Sequence, residues 1–128
     1  MDNNKHTILV VDDEPLVLNF CALALTTSGF NVLTAERGSI ALEICRKARA
    51  ENNSIDLALL DVVMPGMSCR ELAECLVGLG IPTVVLMSGY PAEELLSGLG
   101  HELPPHHRFI MKPFTPSVLL QIVRQILT

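Results

Sequence analysis

Short apolar runs alternate along the chain with longer segments in which apolar residues recur at helical spacing. Five short runs rich in β-branched residues predict strands: Thr7–Val11, Asn31–Ala35, Asp56–Leu60, Thr83–Met87 and Arg108–Met111. Several of these runs are apolar at consecutive positions, which is typical of strands that are buried on both faces of a parallel sheet. The pattern therefore predicts a parallel sheet with helices on both sides.

The first two predicted helices follow the first two strands. One begins at Pro15, because proline suits the first turn of a helix, and ends at Gly29. Its predicted buried face is Leu16, Phe20, Leu23 and Ala24. The second has an apolar stripe of Ala41, Ile44, Cys45 and Ala48, with Arg46, Lys47 and Arg49 near its C-terminal end, where the helix dipole favours cations.

Two more helices are predicted with clear start signals. Ser68 and Glu71 have the spacing of a capping box, and the face that follows is Leu72, Cys75, Leu76 and Leu79. Thr115-Pro116 starts the last helix, with the face Leu119, Ile122, Val123 and Ile126. Between them, Pro91–Ser97 predicts only a short helix, because glycines and prolines interrupt the chain up to residue 105.

The alternation defines an α/β fold, in which a strand–helix unit occurs five times, (βα)5, in a single domain. Since crossovers between parallel strands are right-handed, the helices cover both faces of an open, doubly wound, five-stranded parallel sheet. We expect residues 1–6 to form a flexible N-terminal leader and residues 7–128 to form the domain.

Composition and charge exclude several classes of protein. The 128 residues carry a net charge of −5 and are 49% apolar, which argues against disorder and against a basic surface for nucleic acid. No apolar run approaches the roughly 18 residues of a membrane span. The start of the chain lacks the apolar core of a secretory signal, so we expect a cytoplasmic protein. From the charge and the short apolar runs we expect that it is not inserted in a membrane and does not bind nucleic acid directly.

The cysteines and histidines offer weaker signals. Cys21, Cys45, Cys69 and Cys75 have no C-x-x-C spacing, so we expect buried free thiols, with a metal site or disulfides as the alternative. His101, His106 and His107 lack acidic or thiol partners at a useful spacing, which disfavours metal binding there.

Polar residues stand where four of the predicted strands end. Asp12 and Asp13 follow the first strand, and the others end on Asp61, on Ser88 and at Lys112. In an open parallel sheet these strand ends meet at one edge, where such folds bind ligands. Taken singly, each residue could be a helix cap, a turn former or a surface charge, but together they predict a site.

The chemistry of this set indicates a phosphoryl acceptor. Asp12, Asp13 and Asp61 would repel one another unless a cation joins them, and Mg²⁺ (or Mn²⁺) suits oxygen ligands. A carboxylate can attack a phosphoryl group to form an aspartyl phosphate, and the metal, the Lys112 ammonium and the Ser88 hydroxyl would meet the charge of the transferring oxygens.

Four motifs, in order, resemble those of a known family. They are Val11-Asp12-Asp13-Glu14-Pro15, Leu60-Asp61-Val62-Val63-Met64-Pro65-Gly66-Met67, Met87-Ser88-Gly89-Tyr90 and Met111-Lys112-Pro113-Phe114. They resemble the receiver domains of bacterial two-component response regulators, which have a flavodoxin-like (CheY-like) fold. The resemblance covers about Thr7 to Leu127.

The resemblance implies roles for individual residues. Asp61 would accept a phosphoryl group from a phosphohistidine on a histidine kinase or phosphotransfer domain. Asp13, Asp61 and the main-chain carbonyl of Val63 would ligate Mg²⁺, with Asp12 acting through water. Lys112 would be the family's lysine, joined to Pro113 by a cis peptide bond. Ser88 and Phe109 would form the switch that responds to phosphorylation.

The remaining alternatives concern the kind of protein. Details of the motifs look most like receivers attached C-terminally to hybrid sensor histidine kinases, and a single-domain response regulator is the second option. A phosphorylation-dependent homodimer is left open. We expect the domain to catalyse only its own phosphorylation and dephosphorylation, so it is not a metabolic enzyme. A phosphatase of the haloacid dehalogenase type is disfavoured because Val63 stands where its second acid belongs. A receiver-like interaction module that works without phosphorylation is the other competing hypothesis.

Overall fold

A computed structural model describes residues 5–62, 66–89 and 108–127 of the chain. In these ranges five strands and four helices follow one another. They are β1 (Thr7–Val11), α1 (Pro15–Thr27), β2 (Asn31–Ala35), α2 (Gly38–Ala50), β3 (Leu57–Asp61), α3 (Cys69–Gly78), β4 (Val84–Ser88), β5 (Arg108–Met111) and α4 (Pro116–Leu127). The short helix expected at Pro91–Ser97 lies outside the described residues.

The strands form one sheet in the order β2-β1-β3-β4-β5, and every neighbouring pair is parallel. This confirms the predicted doubly wound fold, since the order reverses direction after β2 and places helices on both faces. The central strands β3 and β4 are buried at every position, as their continuous apolar runs predict. The carboxyl ends of all five strands consequently lie at one edge of the sheet.

Two layers of apolar side chains form the core, one on each face of the sheet. Leu9 and Val11 of β1 face one layer, which α2 and α3 complete. Ile8 and Val10 face the other layer, which α1 and α4 complete. The alternation of neighbouring strand residues between two layers is the expected consequence of the two-residue period of a strand.

The helix starts agree with the sequence signals. Pro15 is the first residue of α1. At α3 the Ser68 hydroxyl accepts a hydrogen bond from the backbone N–H of Glu71, which satisfies one of the free donors of the first turn. Lys47 and Arg49 lie in the last turn of α2, as predicted.

The predicted buried face of α1 is wrong at three positions. Leu16 and Leu23 are 82% and 71% exposed, and Phe20 is 36% exposed, whereas Leu18, Cys21 and Leu25 are buried. The physical reason is that α1 has no charged residue and carries apolar side chains on most of its surface. Periodicity therefore defines no single face, and packing against the sheet and α4 decides which side chains are covered.

One cysteine departs from expectation. Cys21, Cys45 and Cys69 are buried free thiols, but Cys75 is an exposed free thiol. The buried face of α3 consists of Cys69, Leu72, Ala73 and Leu76, and Cys75 lies beside this stripe on the solvent side. Burial raises the pKa of Cys21 and of Cys69 to about 12 and that of Cys45 to about 11, so these thiols stay protonated.

Two strands, β3 and β4, begin and end one residue later than predicted. Asp61 and Ser88 are the last residues of β3 and β4, because both still take part in the ladder. This correction matters for the site, since it fixes two polar residues on rigid strands rather than on loops. Across the described ranges, no helix is long and apolar enough to cross a membrane.

Candidate functional site

The polar residues at the strand ends meet at one edge of the sheet, as predicted. Backbone hydrogen bonds hold two of them there. The Asp12 N–H donates to the carbonyl of Ala35 over 3.1 Å, which extends the pairing of β1 with β2. The Lys112 N–H donates to the carbonyl of Ser88 over 2.7 Å, which extends the pairing of β4 with β5. Backbone hydrogen bonds to neighbouring strands therefore position Asp12 and Lys112 beside the strand residues Asp61 and Ser88.

The ammonium group of Lys112 joins three carboxylates. Its Nζ lies 2.7 Å from Oδ2 of Asp12, 3.4 Å from Oδ1 of Asp61 and 3.7 Å from Oε1 of Glu14. Asp12 and Asp61 are buried, whereas the Glu14 side chain is exposed. One cation thus partly offsets the repulsion between the buried acids of this edge.

The acids also determine the charge state of Lys112. Burial by itself lowers the pKa of the ammonium group, but the hydrogen bond to Asp12 and the negative charges of Asp61 and Asp12 outweigh it. The net result is a raised pKa, so Lys112 is positively charged at neutral pH and able to bind an anion.

Asp12 uses both of its carboxylate oxygens within the protein. Oδ1 accepts a hydrogen bond from the backbone N–H of Glu14 over 2.9 Å, and Oδ2 accepts the 2.7 Å bond from Lys112. The first bond closes the turn that leads into α1, where Glu14 is the N-cap without a side-chain cap of its own. Asp12 consequently connects the lysine to the start of α1.

Three of the acids are close enough to share a cation. One carboxylate oxygen from each of Asp12, Asp13 and Asp61 lies within 4.8 Å of the other two. Asp13 is exposed, so a cation would have access from solvent. An all-oxygen donor set with an open side fits Mg²⁺, which keeps several water ligands.

Ser88 and Phe109 lie on the same face of the sheet. Leu86 of β4 pairs with Phe109 of β5, and Ser88 lies two residues after Leu86 on β4. The side chains of Ser88 and Phe109 therefore both point to the layer of α2 and α3. Ser88 is 2% exposed, and Phe109 is half-buried against that layer.

Beside the acids, an open groove of about 560 Å³ separates α1 from the segment that follows β5. Leu16, Val17 and Phe20 line it on α1, with Glu14 at its start, and Gly89, Lys112, Pro113 and Phe114 line the opposite side. The rings of Phe20 and Phe114 contact edge to face, with centroids 5.8 Å apart. The peptide bond between Lys112 and Pro113 is cis, as predicted.

The structure thus brings Asp12, Asp13, Asp61, Ser88 and Lys112 together at this edge of the sheet. The proposed ligand Val63 lies outside the described residues. The contact of Glu14 with Lys112 was not predicted, although Glu14 directly follows the acidic pair. The groove was not predicted either, and its sequence signal is the apolar surface of α1 together with Lys112-Pro113-Phe114.

Comparison with known sequences identifies the family. The sequence profile of the response regulator receiver domain matches residues 8–124, which is nearly the whole chain. The chain belongs to the receiver domain family. Receiver domains act in two-component signalling, where histidine kinases or phosphotransfer proteins phosphorylate them.

Similar sequences are response regulators. The chain is 33% identical over 125 residues to the DNA-binding response regulator MtrA of Mycolicibacterium smegmatis, covering 97% of this chain and 51% of the relative. It is 30% identical over 128 residues to the probable transcriptional regulatory protein TcrX of Mycobacterium tuberculosis, covering 98% of this chain and 51% of the relative. The chain therefore spans about half the length of the curated relatives it matches.

Similar solved structures are receiver domains. The receiver domain of the hybrid histidine kinase CckA is 31% identical with a TM-score of 0.77, covering 95% of this chain and 99% of that one. A response regulator receiver protein from Sinorhizobium medicae is 27% identical with a TM-score of 0.78, covering 97% and 95%. The chemotaxis protein CheY4 of Vibrio cholerae, at 23% identity and a TM-score of 0.79 over 95% and 98%, shares the fold.

Proposed function

We propose that Asp61 is the phosphoacceptor of this receiver domain and takes its phosphoryl group from a phosphohistidine on a histidine kinase or phosphotransfer domain. The observation that supports this most strongly is the position of Asp61. It is a buried carboxylate at a strand end, with the Lys112 ammonium 3.4 Å from its Oδ1 and two further acids within reach of a shared cation. A nucleophile, a fixed cation and a cation site are the parts that phosphoryl transfer to a carboxylate needs.

In the proposed step, a carboxylate oxygen of Asp61 forms a bond to phosphorus. The bond between phosphorus and the imidazole nitrogen of the donor breaks, and its electron pair stays on that nitrogen. Lys112 is held by Asp12 so that its charge faces the place where the phosphoryl oxygens arrive. The two-residue connection between Asp12 and the start of α1 keeps this arrangement rigid.

We propose Asp13 and Asp61 as direct ligands of Mg²⁺, together with the carbonyl of Val63, while Asp12 acts through water. Bound Mg²⁺ would neutralise charge on the phosphoryl oxygens. An indirect role suits Asp12, because both of its oxygens already accept hydrogen bonds from Lys112 and from the Glu14 N–H. Asp13, which is exposed, is better placed for direct ligation.

Phosphorylation adds up to two negative charges and new acceptor oxygens at Asp61. We propose that the Ser88 hydroxyl moves toward these oxygens and that Phe109 turns further into the space on the same face. Their shared face supports this coupling, because a change at Ser88 reaches Phe109 without crossing the sheet. The result would be a shift between two pre-existing conformations at the surface near β5 and α4.

The outer face of α1, which consists of Leu16, Phe20 and Leu23, supports a protein as donor. These large apolar side chains are exposed, Leu16 and Phe20 line the groove that Lys112 borders, and α1 carries no charge. Exposed apolar patches of this kind mark protein interaction sites. A donor domain that covers this face would bring its phosphohistidine to the edge where Asp61 lies.

The proposal is tested by incubating the protein with Mg²⁺ and acetyl phosphate and measuring its intact mass. We expect a gain of one phosphoryl group, loss of this gain in Asp61→Asn, and loss when EDTA replaces Mg²⁺. Glu43→Gln, which changes an exposed carboxylate on α2, is the matched control and should be phosphorylated normally. A folded wild-type protein that gains no phosphoryl group would instead support an interaction module that works without phosphorylation.

A further inference from the structure

We infer that the groove between α1 and the segment after β5 binds the leaving group of a phosphodonor, and that it favours small acyl phosphates with an uncharged aromatic acyl group. This inference rests on the proposed function of Asp61. It adds a substrate class, because it assigns to the domain a preference among small phosphodonors.

The groove is continuous with the acidic site through Lys112. This residue lines the groove, and its ammonium group lies 3.4 Å from Asp61. A donor whose phosphoryl group is at Asp61 and Lys112 can therefore extend its remaining part into the groove. Its volume of about 560 Å³ is in the range of small-molecule sites, which are roughly 300–1,000 Å³.

The walls of the groove suit an apolar ring. Leu16, Val17 and Phe20 on one side face Pro113 and Phe114 on the other. Phe20 and Phe114 contact each other edge to face, which joins the two walls at this point. A flat aromatic group that packs against the apolar side chains of the groove removes apolar surface from water, which the methyl group of acetyl phosphate does to a much smaller extent.

The charges at the groove select for a neutral acyl group. Among the lining residues that the structure describes, Lys112 alone carries a positive charge, and this charge is directed at the acids. Glu14 lines the start of the groove and would repel a donor that carries a second carboxylate. A monoacyl phosphate with a neutral ring, such as benzoyl phosphate, fits both conditions.

The reaction with such a donor balances without a further reactant. A carboxylate oxygen of Asp61 forms a bond to phosphorus while the bond from phosphorus to the acyl oxygen breaks. The electron pair of that bond leaves with benzoate, which departs through the open side of the groove.

The experiment compares the rates of phosphorylation by benzoyl phosphate and by acetyl phosphate, at equal Mg²⁺, in the wild type and in variants. Comparing the ratio of the two rates between variant and wild type cancels the difference in intrinsic reactivity of the donors. We expect this ratio to fall about tenfold in Leu16→Ala and in Phe114→Leu, because each removes part of a groove wall. Val77→Ala, an exposed apolar residue on α3 far from the groove, is the matched control and should keep the wild-type ratio.

A second measurement follows binding without reaction. Benzoylphosphonate, which cannot transfer its phosphoryl group, should shift the NMR signals of Leu16 and Phe114 and should compete with acetyl phosphate more strongly than acetylphosphonate does. Leu16 is 82% exposed, so its replacement does not endanger the fold.

An unchanged rate ratio in both groove variants overturns the inference, even if Asp61 is phosphorylated normally. If the variants instead lose only transfer from a phosphohistidine protein, the groove is a protein docking site and the inference is equally wrong. Failure of every donor to phosphorylate the wild type would contradict the proposed function itself, so the two failures are distinguishable.

Discussion

Lys112 connects the most important residues of the site. It links buried Asp12 to buried Asp61 and reaches the exposed Glu14, so one side chain offsets part of the repulsion at the sheet edge. The sequence places Lys112 at this edge because it directly follows β5. It does not reveal that Asp12 divides its two oxygens between Lys112 and the start of α1, since that depends on side-chain geometry.

Replacing Lys112 should therefore destabilise the protein. In Lys112→Gln, buried Asp12 and Asp61 face each other without a cation, and we expect the free energy of unfolding to fall by about 3 kcal/mol in EDTA. Addition of Mg²⁺ should raise the free energy of unfolding of this variant more than that of the wild type. Urea unfolding of both proteins measures this, with the exposed Lys47→Gln as control. Equal stability of Lys112→Gln and wild type in EDTA would contradict the account.

The thiols differ in exposure, and this predicts their reactivity. The pKa of Cys21 and of Cys69 is raised to about 12, mainly by burial and to a smaller extent by the negative charge of Asp12 on Cys21 and of Asp61 on Cys69. We expect native protein to react with iodoacetamide quickly at Cys75 alone and unfolded protein to react at all four cysteines. Mass spectrometry after short labelling counts the modified thiols, and native Cys75→Ser should remain unlabelled. Fast labelling of this variant would disprove the assignment.

Among the secondary-structure elements, the positions of the strands could be predicted from the sequence, whereas the orientation of α1 could not. The buried strands are continuous apolar runs that end on charged or polar residues, so their positions and the site at their ends follow from the sequence. In α1, apolar residues occur nearly all round the helix, and only contacts with the sheet and α4 distinguish Leu25 from Leu23. A uniformly apolar helix carries little information about which of its faces is buried.

The orientation of α1 is tested by a matched pair of substitutions. Leu25→Ala should lower the free energy of unfolding by about 3 kcal/mol, because Leu25 is fully buried and its removal leaves a cavity. Leu23→Ala should change it by less than about 0.5 kcal/mol, because Leu23 is largely exposed. Chemical denaturation of both variants measures the difference. Larger destabilisation by Leu23→Ala would restore the orientation that the sequence alone suggests.

The stability of the whole molecule depends on the protonation of two buried thiols in the core and of Lys112 in the site. The pKa of Cys21 and Cys69 is raised from 9.0 to about 12, and that of Lys112 is raised above 10.5. Above about pH 9 the folded state therefore holds more protons than the unfolded state, and its stability falls as the pH rises. The thiol contribution is fully present below pH 9 and the Lys112 contribution below about pH 10.5.

We accordingly expect the free energy of unfolding, measured with urea, to decrease steadily from about pH 9 to about pH 11. The decrease should be shallower in Cys21→Ala, which removes one of the two most shifted thiols. The exposed Cys75→Ser is the control and should follow the wild-type slope. Stability that is constant or rises over this range would contradict the burial of these groups.

The global fold could be predicted because parallel strands with right-handed crossovers leave few arrangements for a chain of this pattern. The groove between α1 and the segment after β5 could not, because it results from the relative placement of elements far apart in sequence. Its lining residues Leu16 and Phe114 are separated by almost the whole domain. The acids at the strand ends, by contrast, could be predicted to lie together, because the carboxyl ends of parallel strands lie at the same edge of the sheet.

The aspartate that carries the phosphoryl group can be located chemically. Borohydride reduction of the protein after incubation with Mg²⁺ and acetyl phosphate converts a phosphorylated aspartate to homoserine, which peptide mass spectrometry then places in the sequence. We expect homoserine at position 61 alone and none in protein incubated without acetyl phosphate. Homoserine at Asp12, Asp13 or another acid, with Asp61 unchanged, would contradict it.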